Sequence, residues 1–415
     1  MAAPHRGFLL FPEQRTGKCL VSLALADRWK PSHIFVACPK NAIPVWEKEI
    51  KKHLVRDWGC IIEITNFERI LASRKTFYRR SFPSDALIIM DEGHRIKGRR
   101  KIRMAMRTLA QRFCRRLVLT GTPVAQGSYD TWALFDFIDK SLLGSWGNYR
   151  GNFCIMGGFK GKKIVGYKNK EEFQRILGQY SYRITLNEAR AEAGKKPIGI
   201  HRVKVIVQLS EATRKIYSEL EDTLCATVQG YKVKTSLVIT QAMRLHQLCG
   251  GFISSPDGGQ LSVGSEKLDR LSNLLAVRLA GQKAVICCRF TWEINAIRKM
   301  VKAMGLKTSI ISGKHKFTGE EEHRGSDIVL LQIQSGVAID LAFAPNMIFY
   351  SWNYSFIDNE QSRFRIIEFD SDQVNYFYLI AKDTVDEIIY EAVVRKKKFA
   401  GLVIDHYRRA AHDRS

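Results

Sequence analysis

The 415-residue sequence contains no apolar run approaching the roughly 20 residues that a helix needs to cross a bilayer. Its mean hydropathy is −0.18, so a membrane-spanning chain is not expected. The opening MAAPHRGFLLFPEQRTGK has a short apolar patch but no small-residue cleavage pattern, so no secretory leader is expected either. Nine cysteines are scattered singly apart from Cys287–Cys288, and none forms a C-x-x-C pair. That spacing builds neither a zinc site nor a disulfide framework, and it points to a reducing compartment. Acids are also scarce. Forty-one Asp and Glu stand against 66 Lys and Arg, a formal charge of +25. With 45% apolar residues the chain can build ordinary cores. An excess of this size favours a polyanionic partner, nucleic acid foremost, over charge carried for solubility alone.

The first half alternates β-rich apolar runs with helix-like stretches. The runs are 33–39, 85–92 and 115–123; the stretches include Ala42–Leu54 and Met104–Phe113. The second half repeats this grammar with runs at 282–290, 307–313, 327–333 and 346–352. Continuous apolar runs bounded by Gly, Pro or acids read as buried parallel strands of βαβ units. The expected fold class is α/β, two doubly wound parallel-sheet lobes. A helical or irregular, Gly-, Lys- and Tyr-rich insertion is expected between them at about 140–195. The expected lobes are 1–195 and 196–415, divided near Ala193–Pro197, with a helical insertion at about 210–260 in the second.

Three segments of the first lobe carry chemistry. A phosphate loop needs a tight turn, a Lys reaching phosphate oxygens and a hydroxyl for Mg²⁺. In Pro12-Glu13-Gln14-Arg15-Thr16-Gly17-Lys18-Cys19, Gly17 and Lys18 fit and an apolar helix-like run follows. Pro12 replaces the usual first Gly, and Cys19 puts a thiol where a hard cation prefers oxygen. Taken alone, this is equally a chance Gly-Lys turn. Asp91-Glu92-Gly93-His94 follows the run ALIIM directly, which places both acids at the C-terminal end of a buried strand, the edge where open α/β sheets bind ligands. There Asp91 suits Mg²⁺ and Glu92 suits an attacking water; the bland alternative is a solvated acid pair. Thr120-Gly121-Thr122-Pro123 ends the next run, a third loop on the same edge.

These segments, in this order, resemble a superfamily-two helicase core, specifically the Swi/Snf-type DNA-dependent ATPases and translocases in compact bacterial or phage form. QRTGK resembles motif I, ACPKNAIPVWEKE motif Ia, ITNFE the following DNA-contact segment, DEGHRIK motif II and LTGTP motif III. SYRITLNEA, IYSEL, LHQLCGGF and SEKLDRL resemble the signatures between motifs. VICCRF resembles motif IV, QSGVAIDLAFA motif V, EQSRFR motif VI, and LIAKDTVDEIIYEAVVRKK the closing segment.

The resemblance implies two RecA-like lobes that bind ATP and Mg²⁺ in the cleft between them and step along DNA. It implies phosphate and nucleotide contacts from Arg15, Thr16, Gly17, Lys18 and Cys19, the metal on Asp91 and the attacking water on Glu92. His94, Thr120 and Thr122 would couple nucleotide to nucleic acid, although His94 also suits a satisfied polar side chain beside a strand end. Gly336 and Asp340 fall in motif V; Gln361, Arg363 and Arg365 fall in motif VI. Pro39, Lys40, Asn66, Arg95, Lys97, Arg99, Arg100 and Lys101 would face DNA, preferably duplex and mainly through phosphates. The chain is expected to act as a monomer in the cytoplasm, with a nuclear location left open.

Two departures bear on turnover. The arginine finger expected three residues beyond Arg365 is Glu368, and a missing finger costs about 10³–10⁵ in rate. Either Arg363 or Arg365 substitutes, or hydrolysis is slow. Only 17 residues precede Lys18, and no adenine-reading segment is evident among them, so the choice of ATP follows from the resemblance alone. A nucleic-acid clamp with little turnover is the alternative, favoured by Cys19 and Glu368. An RNA helicase of the same superfamily is disfavoured by the signatures between motifs.

Residues 95–116 hold ten Lys and Arg and no acid. As a helix they would turn Met104, Leu109 and Phe113 inward and basic residues toward phosphates; a merely solvated face is the alternative. Further basic patches lie at 160–170, Arg395–Lys398 and Arg408–Arg409. Trp46, at helical spacing from Ile50, is expected in the core.

Overall fold

The computed structural model describes residues 5–54, 59–96, 100–121, 128–158, 161, 163–228, 243–254, 259–313, 320–333 and 339–391. They divide into two units, one ending at Lys195 and the other beginning at Lys196. Among the described residues no helix is long and apolar enough to cross a membrane.

The first unit contains β1 (Gly7–Pro12), β2 (His33–Cys38), β3 (Ile61–Asn66), β4 (Leu87–Met90), β5 (Arg115–Leu119), β6 (Cys154–Gly157), β7 (Lys163–Tyr167) and β8 (Ser181–Ile184). Six of these form one sheet in the order β3-β2-β4-β5-β1-β8, every neighbouring pair parallel. The apolar runs are continuous because both faces are covered. Leu9, Phe11, Phe35, Ile88, Met90 and Val118 face one core with Met106, Leu109, Phe113, Trp132 and Phe135. Their alternates Phe8, Leu10, Ile34, Val36, Leu87, Ile89, Leu117 and Leu119 face the other with Leu23, Ala26 and Trp46. The two-residue period of a strand thus sorts each run between the two layers.

The stretch read as an insertion is only partly one. Helices Lys140–Leu143 and Trp146–Phe153, the antiparallel pair β6–β7 and helix Lys170–Tyr180 lead into β8, which returns to the sheet beside β1. Helix Leu186–Glu192 follows, opened by a reciprocal cap in which Thr185 and Glu188 satisfy each other's backbone N–H.

The second unit contains β9 (Gly199–Val207), a small hairpin of β10 (Phe252–Ser254) and β11 (Gln260–Ser262), β12 (Ala284–Cys288), β13 (Thr308–Ile311), β14 (Ile328–Gln332), β15 (Asn346–Phe349) and β16 (Gln373–Ala381). Its sheet is again six-stranded and parallel, ordered β13-β14-β12-β15-β16-β9. Buried polar groups tie its helices to the strand ends. The Lys267 ammonium pairs with the fully buried Asp386 and donates to the Tyr350 carbonyl at 2.9 Å. Both units have the parallel α/β architecture of RecA-like lobes.

Candidate nucleotide site and nucleic-acid-contact edge

The register of the first sheet aligns its strand ends. Leu10 pairs with Leu119, Ala37 with Met90 and Cys38 with Asn66. The segments beginning at Glu13, Pro39, Asp91 and Thr120 therefore leave the sheet along one C-terminal edge.

The β1 turn is set by backbone geometry. Arg15 and Gly17 both have positive φ, 68° and 76°, and Gly17 is the residue before helix Lys18–Trp29. Glycine adopts that conformation without steric cost, so the chain reverses tightly there and enters the helix at Lys18. The turn is anchored at its start. Glu13 N–H donates to the Ile184 carbonyl at 2.9 Å, its carboxylate accepts from Leu186 N–H at 2.9 Å, and Thr16 Oγ1 donates to the Glu13 carbonyl at 2.7 Å. The missing first glycine is thus compensated by ties to β8 and the helix after it.

Lys18 Nζ lies 3.7 Å from Glu92 Oε1, and Glu92 Oε2 lies 3.0 Å from His94 Nδ1. His94 Nδ1 is in turn 3.4 Å from Thr120 Oγ1, which is fully buried at the end of β5. Burial disfavours the Lys18 charge, but Glu92 and then Asp91 outweigh it and hold the ammonium above its ordinary value. Burial likewise opposes the Glu92 charge, yet Lys18 and His94 hold that carboxyl well below the usual range. Asp91 sits deeper, 8% exposed, and burial followed by the neighbouring Glu92 pushes it up. Its Oδ1 accepts from Glu92 N–H at 2.8 Å and its Oδ2 from the Trp46 indole at 2.9 Å.

Glu92 itself has a left-handed φ of 50°, and Gly93 follows in a 3-10 turn, Gly93–Ile96. A Cβ at Gly93 would stand 2.4 Å from Val118 Cγ1, so glycine lets this turn lie against β5. At Gly121 a Cβ would stand 3.5 Å from Lys18 Nζ, which places the third loop beside the first.

Cys19 supplies no hard ligand. Burial pushes its thiol far up, and it packs partly into the core beneath the helix. The nearby hydroxyls are engaged, Ser22 Oγ donating to the Cys19 carbonyl at 2.8 Å and Thr16 to Glu13.

Farther along the edge, buried Pro39 precedes the exposed Lys40 in a 3-10 turn that runs into helix Ile43–His53. Asn66 Oδ1 accepts from Arg69 N–H at 2.8 Å and so caps helix Phe67–Ala72. Arg95 is half-buried and Lys101 exposed. Lys97, Arg99 and Thr122 lie outside the described residues, as do Lys160 and Lys162, the Arg100 and Lys163 side chains, and Arg395–Lys398 and Arg408–Arg409; Lys168 and Lys170 are exposed.

The basic helix differs from its sequence reading. Over Arg100–Ala110, Leu109 is buried as expected and Phe113 just beyond is too, but Met104 is 39% exposed and Met106 takes the inward place. Arg103 and Arg107 point to the buried Asp136, at 2.8 and 3.5 Å. Arg103 also lies over the Trp132 ring, Arg115 over Trp29, and Arg116 donates to the Ile138 carbonyl. Much of this charge therefore holds the unit together instead of facing solvent.

In the second unit, Arg363 pairs with Glu360 and lies 4.9 Å over the Tyr376 ring. Arg365 is buried and donates to the Ile339 carbonyl at 3.1 Å. Asp340 accepts from Ala342 N–H, Gln361 is half-buried, and Glu368 is exposed. Gly336 lies outside the described residues. The residue that sequence reasoning missed is Trp46. Its spacing identified a core position and gave no sign of the indole's partner.

Residues 55–251 match the SNF2-related domain. The uncharacterized ATP-dependent helicase MG018 of Mycoplasma genitalium is 22% identical over 75% of this chain and 30% of its own length. The mouse SWI/SNF-related matrix-associated actin-dependent regulator of chromatin subfamily A member 1 is 22% identical over 96% of this chain and 42% of its own. The chain thus spans less than half the length of these two relatives. Among solved structures, the Sulfolobus solfataricus SWI2/SNF2 ATPase core in complex with dsDNA is 20% identical, covering 95% of this chain and 87% of its own, with a TM-score of 0.42. Over residues 55–251 the chain is thus similar to the SNF2-related domain, and the relatives it resembles are named as an ATP-dependent helicase and a SWI/SNF-related regulator of chromatin.

Proposed function

We propose that the chain is an ATP-dependent DNA translocase that grips phosphates without reading base sequence. The observation that carries this reading is the gathering of Lys18, Asp91, Glu92, His94 and Thr120 on one sheet edge, in a chain whose relatives are ATP-dependent helicases. Lys18 exchanges Glu92 for nucleotide phosphate. Glu92 orients the attacking water, and its basicity rises once Lys18 turns away. His94 and Thr120 register that exchange and pass it to the nucleic-acid side, where Pro39, Lys40, Asn66, Arg95 and Lys101 are placed. In the second unit Asp340 and Gln361 serve the nucleotide, and Arg363 or Arg365 takes the place of the absent finger.

Mg²⁺ fits the donors present. Asp91 offers one hard carboxylate, and no group of three or more His, Cys, Asp or Glu among the described residues forms a cage. Mg²⁺ ordinarily takes one or two carboxylates together with substrate phosphates and water. When bound it would neutralise charge on the phosphates. Cys19, a half-buried thiol that burial keeps neutral, contributes no ligand to it.

A second reading, a nucleic-acid clamp with little turnover, is favoured by Cys19 and by the engagement of both motif VI arginines with Glu360, Tyr376 and the Ile339 carbonyl. Steady-state ATP hydrolysis without nucleic acid and with single strands, duplex and RNA, each at two salt concentrations, separates the two. Duplex-stimulated turnover lost in Lys18→Ala is the expected result. DNA binding with no turnover above that variant's background would replace the motor by the clamp.

A further inference from the structure

Trp46 is fully buried in the first turns of helix Ile43–His53, and its indole N–H donates to a side chain. Its partner is a carboxylate 45 residues further along, at the end of a different strand, with Nε1 2.9 Å from Asp91 Oδ2. A buried indole needs an acceptor, and almost any carbonyl would serve. This one is a charged group on the edge where the candidate site lies. The other Asp91 oxygen accepts from Glu92 N–H at 2.8 Å, so one donor from each side fixes the plane of the carboxylate. Neither donor carries a charge, so neither competes with a cation for the site.

The helix that carries Trp46 is entered without a break from the 3-10 turn at Lys40–Ala42, where Ala42 N–H donates to the Pro39 carbonyl at 2.8 Å. Asp91 is therefore braced by the same rigid segment that begins with Pro39 and Lys40.

We infer that Trp46 is a positioning residue: its indole N–H orients the Asp91 carboxylate for the metal that accompanies the nucleotide. This rests on the proposed nucleotide site. Partners that orient a metal-ligating carboxylate typically change metal affinity by about 10–100-fold when removed. Phenylalanine at this position keeps an aromatic ring in the core and removes only the donor and part of the volume.

The test is a Mg²⁺ titration of the binding of a fluorescent ADP analogue by the whole chain, in Trp46→Phe, Asp91→Asn and the double variant. Trp46→Phe is expected to raise the Mg²⁺ concentration at half-saturation about 10–100-fold while metal-free analogue binding stays unchanged. In the Asp91→Asn background it is expected to add nothing. An unshifted Mg²⁺ half-point in Trp46→Phe, or an equal further shift in the Asp91→Asn background, would overturn the inference. Binding of the analogue by the unaltered chain with no response to Mg²⁺ would likewise overturn the inference, whereas failure of the unaltered chain to bind the analogue at all would overturn the nucleotide-site reading itself. A second measurement does not depend on Trp46→Phe folding. Among the indole N–H resonances of the seven tryptophans, one is expected to move on Asp91→Asn, and seven unmoved resonances would sink the proposal.

Discussion

The ammonium of Lys18 and the carboxylate of Glu92 face each other at 3.7 Å, both largely withdrawn from solvent. Each holds the other charged against the cost of burial, so the pair is stable only while nothing better is offered to either partner. A triphosphate offers Lys18 more charge than one carboxylate does. In the proposed function its arrival would break the pair and leave Glu92 with His94, as a stronger base than before. The resting contact thus keeps the water-activating group of the proposed reaction quiet until nucleotide is present.

Glu92→Gln should separate binding from hydrolysis. Without the carboxylate Lys18 is free for phosphate, so nucleotide binding is expected to hold or tighten. Turnover should fall about 10²–10⁴-fold, the usual contribution of a positioned general base. Equilibrium binding of an ADP analogue alongside steady-state hydrolysis checks this. Parallel losses in both would mean that Glu92 serves the fold of the loop and not the reaction.

Arg103 and Lys101 neighbour each other in the sequence but should behave differently. Lys101 is exposed, and its replacement by Ala is expected to weaken DNA binding evenly across sequences and to reduce the salt slope by about one. Arg103 is held by Asp136, whose side chain is 1% exposed. Arg103→Ala leaves that buried acid to Arg107 alone, at 3.5 Å, and should cost up to about 3–5 kcal/mol in the first unit without changing the slope. Melting curves and salt titrations of the two variants read the contrast directly.

These two residues also show where sequence reading stops. Runs such as ALIIM and AVICC declare themselves because strands covered on both faces need apolar residues at every position, and β4 and β12 lie inside those runs. β3 and β9 do not, since each lies at a sheet edge with several residues exposed or half-exposed, so their patterns are mixed. Motifs II and III could be placed on one edge because each ends such a run. What no local pattern supplies is a distant partner. Asp136 lies 33 residues beyond Arg103, and it turns a basic run into internal ties. Met106, three residues before Leu109 and seven before Phe113, shares their helix face, whereas Met104, five before Leu109, points away from it, so the expectation for Met104 failed on helical spacing itself. Asp91 lies 45 residues beyond Trp46, and that bond makes a core aromatic part of the site.

The second unit should show an unusual response to pH, because two buried groups oppose each other. Burial raises Glu293 from 4.5 to about 7, although its carboxylate accepts from Ser351, Arg289 and Phe290. Between pH 4.5 and 7 the folded unit therefore holds more protons at this site than the unfolded chain, and stability falls as pH rises through that window. The full effect is on the order of 3 kcal/mol. Burial lowers His246 from 6.5 to about 3, so there the unfolded chain holds the extra proton, and stability falls as pH drops from 6.5 toward 3. Over pH 4.5–6.5 the two slopes cancel in large part. Glu293→Gln should leave the His246 slope alone, with melting temperature climbing from pH 4.5 to 6.5. His246→Asn should leave the Glu293 slope, with melting temperature falling from pH 4.5 to 7. Calorimetric melting of the unit across pH 4–8 distinguishes them. Matching slopes in both variants would mean that neither group titrates between the folded and unfolded states as its burial implies.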